Sequence, residues 1–140
     1  MQNACKYTLS QFTHCVWHFS GPAVPPLNVS VTSTMQDSLS FSWSPPPCSS
    51  RGGVIQGYSY LLTERNSNAH VAQSTTTQES VTIDGLVGDT EYQFQVAAFT
   101  TAGLGPYSQL LDATTLKLKG LFKFASDCIL HRELRTSLGK

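Results

Sequence analysis

The side chains best suited to binding a metal ion lie near the start of the chain. His14, Cys15 and His18 fall close together, and Cys5 precedes them. Structural zinc sites use these two residue types, but they usually contain pairs of cysteines separated by two to four residues. Because the cluster lacks such a pair, we interpret it as part of an unordered leader and predict no metal site.

Catalytic motifs are the next signal to test. The sequence contains no phosphate-binding loop, no His-Glu-x-x-His and no Gly-x-Ser-x-Gly. Its carboxylates are scattered over positions predicted to face solvent, and His70 lies near a predicted loop. We therefore predict no catalytic residue, no cofactor-binding residue and no enzyme activity in this chain.

One motif is suited to a covalent modification. Asn28, Val29 and Ser30 form the Asn-x-Ser acceptor sequence for N-linked glycosylation. Asn28 alternates with the apolar Leu27 and Val29, so its side chain is expected to point outward from a strand. We predict that Asn28 is a glycosylation candidate if the chain enters the secretory pathway.

Between Pro22 and Leu116, apolar and polar residues alternate with a period of two residues. In the segment 38–44, for example, Leu39, Phe41 and Trp43 alternate with serines. Such alternation is typical of strands with one buried and one solvated face, as in antiparallel sheets. Further strands are predicted over residues 27–31, 54–65, 70–76, 80–86, 91–99 and 110–115.

Seven short strands separated by turn residues predict an all-β fold, an antiparallel two-layer sandwich. The four cysteines lie in the flanks or in a loop, so we expect apolar packing rather than a disulfide framework to hold it. The predicted core residues are Leu39, Phe41, Trp43, Tyr58, Leu86, Tyr92, Phe94 and Val96.

The positions of Trp and Cys in the predicted strands distinguish between two families of β-sandwich. An immunoglobulin domain would place a Trp on the third strand, beside a disulfide between the second and sixth strands. Trp43 instead lies on the second predicted strand, and neither of those two strands contains Cys. A wider pattern of apolar, aromatic, Gly and Pro residues runs through the predicted strands and turns. Its residues are Pro26, Leu39-x-Phe41-x-Trp43-x-Pro45-Pro46, Gly53-x-Ile55-x-x-Tyr58-x-Tyr60, Leu86-x-x-x-Thr90-x-Tyr92-x-Phe94-x-Val96-x-Ala98, Gly103-x-Gly105-Pro106-Tyr107-Ser108 and Thr114.

Over residues 22–116 this pattern resembles the fibronectin type III family. The resemblance implies a seven-stranded antiparallel sandwich with an immunoglobulin-like fold. It also implies that Leu86 and Tyr92 form a tyrosine corner, in which the phenol hydroxyl bonds to upstream backbone. Gly88 stands where the family often has Pro, which we expect to loosen that turn slightly.

The flanks differ from the middle in charge. Residues 1–116 carry a net charge of −4 and residues 117–140 a net charge of +4, which suggests separate units. We predict that residues 1–21 are a poorly ordered flank and no good signal peptide. Residues 117–140 are a basic tail that can form an amphipathic helix. Its apolar positions at helical spacing are Leu118, Leu121, Phe122, Ala125, Cys128 and Ile129.

Loops on a rigid sandwich commonly carry recognition, so the loops after the third and sixth strands are the candidate binding surfaces. The second of these contains Thr101, Gly103, Leu104, Gly105 and Tyr107. It lacks the Arg-Gly-Asp tripeptide, so integrin binding is not implied. The body has no basic patch for nucleic acid and no apolar run of 18 residues for a membrane span.

The resemblance implies a non-catalytic protein-interaction or spacer module with neighbouring modules in a longer chain and an unknown protein partner. We predict a cell-surface adhesion or receptor protein, or a matrix protein, and hence an extracellular location. Two alternatives stay open. An intracellular scaffold module of a filament-associated protein would have reduced cysteines and an unmodified Asn28, and an accessory domain would belong to a larger enzyme.

Overall fold

The computed structural model describes residues 20–118, which form two antiparallel sheets. The first sheet has the strand order β1-β2-β5, and the second has the order β4-β3-β6-β7, with β8 also paired to β6. The all-β antiparallel sandwich predicted from the sequence is confirmed. The strands are β1 (Leu27–Thr34), β2 (Ser38–Ser44), β3 (Gly57–Glu64), β4 (His70–Thr76), β5 (Ser80–Asp84), β6 (Glu91–Thr100), β7 (Gly103–Leu104) and β8 (Leu111–Thr114).

The alternation of apolar residues and serines in β2 explains how this strand contributes to the core. Leu39 and Phe41 are fully buried and Trp43 is nearly so, while the intervening serines lie on the outer face. There Ser40 pairs with Thr82 of β5 through hydroxyls 2.9 Å apart. The strand therefore contributes three large side chains to the core and hydroxyls to the solvated face.

The core is built around four stacked or edge-on aromatic contacts. The rings of Phe41 and Phe94 are parallel, with centroids 4.0 Å apart, and join the two sheets. Trp43 meets Tyr58 edge-on at 5.5 Å and lies 5.9 Å from Phe94. Such pairs add about 0.5–1.5 kcal/mol each beyond the area that they bury. The structure places all eight predicted core residues among the buried side chains.

Several boundaries differ from those predicted. β3 begins at Gly57 rather than at residue 54, and Val54 is exposed. The short strand β7, Gly103–Leu104, was predicted as loop but pairs with the end of β6. The loop between β2 and β3 contains a short 3₁₀ turn, Cys48–Ser50. The expectations for the N-terminal flank and the basic tail concern residues that lie almost entirely outside the described range.

The described residues contain one cysteine, Cys48, which is disulfide-bonded. No disulfide therefore joins two strands of the described sandwich. Nor is there, within residues 20–118, a helix of the length and apolarity needed to cross a membrane.

Candidate functional site

The chain enters the sandwich at one end and leaves it at the other. Strand β1 starts where Leu27 pairs with Ser44, the last residue of β2. After β8 the chain reaches the opposite end, where the Leu116 N–H donates to the carbonyl of Met35 at 2.8 Å. We call these the entry end, with residues 20–26, 45–56 and 101–102, and the exit end, with residues 35–37, 85–90 and 115–118.

At the entry end the first described residues pack between the two neighbouring loops. The Ala23 N–H donates to the Ser50 carbonyl at 2.7 Å. Gly52 has a φ of 64°, and a Cβ there would overlap the carbonyl oxygen of Ser20. A Cβ on Gly21 would lie 3.0 Å from the carbonyl oxygen of Gly103. The backbone of residues 20–23 thus contacts both the β2–β3 loop and the β6–β7 hairpin.

The candidate binding loop after β6 is a tight hairpin. Thr100 pairs with Gly103, so only Thr101 and Ala102 form the turn. The Thr100 hydroxyl accepts a hydrogen bond from the Ala102 N–H at 3.2 Å and steadies this turn. Thr101 is exposed and so is Leu104, at 52%. Together with the exposed Ala102, these two side chains form the accessible part of the hairpin.

The remaining members of the predicted loop have contacts with the body of the domain. A Cβ on Gly105 would lie 2.8 Å from the Pro22 carbonyl oxygen, and the Gly105 N–H donates to Ala98 of β6. Tyr107 is half-buried, and its hydroxyl lies 3.2 Å from the Ser59 Oγ of β3. The structure therefore groups Thr101, Gly103 and Leu104 near the hairpin tip and sets Tyr107 apart on the sheet.

The other candidate loop, between β3 and β4, is polar and exposed. Its Arg65 guanidinium lies 3.4 Å from both Glu91 and Asp112, on neighbouring strands. All three side chains are about half exposed, so solvent weakens these ion pairs to about 0–1 kcal/mol each. In the part of the chain that the structure describes, no His, Cys, Asp or Glu cluster fits a metal ion.

The surroundings of Tyr58 change the ionisation of its phenol. Burial raises the pKa of Tyr58 to about 12, with a further rise from the nearby Glu79 carboxylate and an opposing effect of Arg51. Its ring is 3% exposed and packs on Trp43. The shift therefore has a structural cause, the removal of the phenol from water.

Asn28 lies on the solvated side of β1, at an irregularity in its pairing with β2. Its φ is 53°, and the register shifts between Leu27 and Ser30. Asn residues adopt this left-handed conformation more readily than most. The side chain is exposed, and its amide contacts the Ser44 hydroxyl at 3.5 Å. A glycan attached here would extend into solvent without displacing the core.

The Tyr92 hydroxyl organises the exit end. It accepts a hydrogen bond from the Val87 N–H at 2.9 Å and donates to the Val87 carbonyl at 3.4 Å. The Thr115 hydroxyl donates to the same carbonyl. This is the tyrosine corner that the family resemblance implies for Leu86 and Tyr92. It connects the loop between β5 and β6 to the segment that follows β8.

Comparison with protein families agrees with this arrangement. The model of the family described as fibronectin type III domain matches residues 24–114. The chain belongs to this family. Its strand order, its aromatic core and its tyrosine corner are those of a fibronectin type III domain, as the sequence predicted.

Relatives of this fibronectin type III domain include large proteins. Mouse (Mus musculus) protein sidekick-2 is 40% identical over 96 residues, covering 64% of this chain and 4% of the relative. The human (Homo sapiens) cell adhesion molecule DSCAM is 35% identical over 97 residues, covering 67% and 5%. Human receptor-type tyrosine-protein phosphatase F is 32% identical over 101 residues, covering 72% and 5%. The chain thus spans a small fraction of these relatives.

Solved structures show the same fold. Domains of titin superimpose with a TM-score of 0.61 and 26% identity, covering 69% of this chain and 33% of that one. Domains FN1–FN3 of chicken CNTN1 give a TM-score of 0.59 and 27% identity, covering 69% and 33%. Both matched chains are longer than one domain, so each contains this fold as one part of a series.

Sequence reasoning missed two features of the candidate surfaces. One is the packing of residues 20–23 against Gly52 and the β6–β7 hairpin. These segments are far apart in the sequence, and no periodic pattern of residues indicates that they are in contact. The other is a group of exposed apolar side chains at the exit end, where three segments of the chain meet. The unusual density of glycines at 52, 53, 103 and 105 is the one signal that pointed to close backbone contacts.

Proposed function

We propose that this chain is a non-catalytic interaction or spacer module of a longer cell-surface adhesion or receptor protein. The observation that carries the proposal is the placement of the chain ends at opposite ends of the sandwich. A strand of eight residues such as β1 spans roughly 26 Å at the usual rise. Modules with this geometry join in series and hold their neighbours a fixed distance apart.

The relatives support the cell-surface assignment. Sidekick-2 and DSCAM each contain the matching segment within a far longer chain, and DSCAM is named a cell adhesion molecule. We further propose that partner contact occurs through the exposed tip of the β6–β7 hairpin, with Leu104 as its apolar centre. Tyr107 then has a supporting role, since its hydroxyl already contacts Ser59.

Asn28 is proposed as a glycosylation site of the same protein. Its exposed side chain at a bulge in β1 supports an attached glycan on the outer face of the first sheet. This face is rich in serine and threonine.

The intracellular scaffold is the second candidate, and the likeness to titin domains favours it. The test that separates the candidates is the transcript sequence on both sides of this segment. Neighbouring sandwich repeats together with a membrane-spanning segment are the expected result. A filament protein without a membrane span, or an adjoining catalytic domain, would replace the proposal with one of the alternatives.

A further inference from the structure

Strand β4, His70–Thr76, is an edge of the second sheet. Within residues 20–118 it pairs only with β3, so one side of its backbone has no neighbouring strand there. Residues 69–78, which contain β4, include no Asp, Glu, Lys, Arg, Pro or Gly. Proteins usually protect an exposed edge with charged residues, a proline, an irregular backbone or a very short strand. Apart from one register shift near its start, β4 has seven residues without such protection.

The other edges of the described sandwich carry the protection that β4 lacks. β1 follows Pro25 and Pro26, and its pairing with β2 is irregular at two points. β5 has five residues, with Glu79 before it and Asp84 at its end. Beyond β6, β7 has two residues, and β8 has four with the charged Asp112 among them. β4 is therefore the edge best suited to pairing with another strand.

The hydrogen bonds of β3 show which backbone groups of β4 point outward. The Glu64 N–H donates to the Ala69 carbonyl at 2.9 Å, so the backbone of Glu64 is directed toward β4. Because this direction alternates along a strand, the β3 residue opposite Ser74, an even number of positions earlier, is also directed toward β4. Gln73 and Thr75, on either side of Ser74, therefore direct their N–H and C=O groups away from β3.

We propose that two copies of this chain pair antiparallel through β4, about a two-fold axis at Ser74. In this register Gln73 of each copy lies opposite Thr75 of the other, and the two pairs exchange about four backbone hydrogen bonds. Val71 lies opposite Thr77, so each of these pairs joins neutral side chains and brings no like charges together. The five-stranded second sheets of the two copies become one continuous sheet. A second copy thus supplies an equally long, uncharged strand.

The contact between the two copies is weak. A single pair of edge strands buries less than the roughly 1,200 Å² at which standard stable interfaces begin. We therefore expect half of the chains to be paired at about 100 µM, as in a transient contact. The inference goes beyond the proposed function, because neither the hairpin tip nor a neighbouring module takes part in it.

Sedimentation velocity of the full chain over a range of concentrations that spans the expected midpoint tests the proposal. The chain should move from monomer toward dimer as its concentration rises, and dilution should reverse this. Ser74→Lys places two ammonium groups directly opposite each other across the axis and should weaken the association about tenfold. The matched control is Ser80→Lys, the same change at an exposed serine of the edge strand β5, which should leave the association unchanged.

A mixture of variants tests the two-fold register. Ser74→Glu alone should weaken the association as Ser74→Lys does, but an equal mixture of the two variants should associate again, because opposite charges then face each other. This recovery also shows that both variants are folded. A chain that stays monomeric at every concentration would overturn the proposal and leave the edge to a strand of another protein. A dimer that persists in Ser74→Lys, a mixture that does not associate, or a disulfide-linked dimer that survives dilution would overturn it as well.

Discussion

Replacing Tyr92 by Phe removes one hydroxyl from the exit end and leaves the buried ring in place. The hydroxyl has two contacts, with the N–H and the carbonyl of Val87. The carbonyl keeps the Thr115 hydroxyl as a donor, so the loss falls on the Val87 N–H. An unsatisfied buried donor costs about 1–3 kcal/mol. Val87 is partly open to water, so we expect a loss of about 1.5 kcal/mol.

Urea unfolding followed by far-UV circular dichroism measures this loss. The slope of the transition should stay the same while the midpoint falls, and the melting temperature should drop by about 9 °C for a domain of this size. Tyr107→Phe is the matched control, because its half-buried hydroxyl contacts the Ser59 hydroxyl. It should cost about 0.5 kcal/mol. Equal losses in the two variants would refute the role assigned to the corner.

Three further predictions follow from the described contacts. Gly52→Ala should lower the free energy of unfolding by about 2 kcal/mol, since the new methyl group would overlap the Ser20 carbonyl oxygen at a residue with positive φ. Gly85→Ala also has a positive φ but open surroundings, so it should cost about 1 kcal/mol. A larger loss for Gly85→Ala in urea unfolding would disprove the packing of residues 20–23. Because the folded pKa of Tyr58 is raised to about 12 from 10, stability should fall as pH rises between these values, and Tyr58→Phe should remove that fall. The difference between the ultraviolet titrations of the unmodified chain and Tyr58→Phe reports this phenol, and a midpoint near 10 in that difference would contradict the shift. Protein from a secreting host should carry a glycan-sized mass at Asn28 that is absent in Asn28→Gln, and a bare Asn28 would exclude the site.

The sequence was sufficient to predict the central strands β2 and β6 because apolar and polar residues alternate strictly in them. In β2 every second residue is large and apolar, and the serines between them leave one choice of buried face. The same alternation in β6 identified Tyr92, Phe94 and Val96. The family resemblance added the tyrosine corner of Leu86 and Tyr92. The strand predictions depend on residues close together in the chain.

Contacts between distant segments were beyond the reach of the same reasoning. Strand β7 has two residues, too few to show a period, and one of them is Gly103, a residue type that weakens strand propensity. β3 starts late because the preceding residues form a loop around Gly52. At the exit end, exposed apolar side chains come from three separate segments, at Met35, Val87 and Leu116, and the sequence gives no sign of their proximity.

The central claim is that the described residues form a sandwich whose core is organised around Trp43, which contacts Tyr58 and Phe94 and is 4% exposed. The most direct test is the urea unfolding of Trp43→Ala, followed by far-UV circular dichroism. We predict a loss of about 3–5 kcal/mol, a large part of the roughly 5–15 kcal/mol that stabilises a domain. A midpoint equal to that of the unmodified chain would contradict the account.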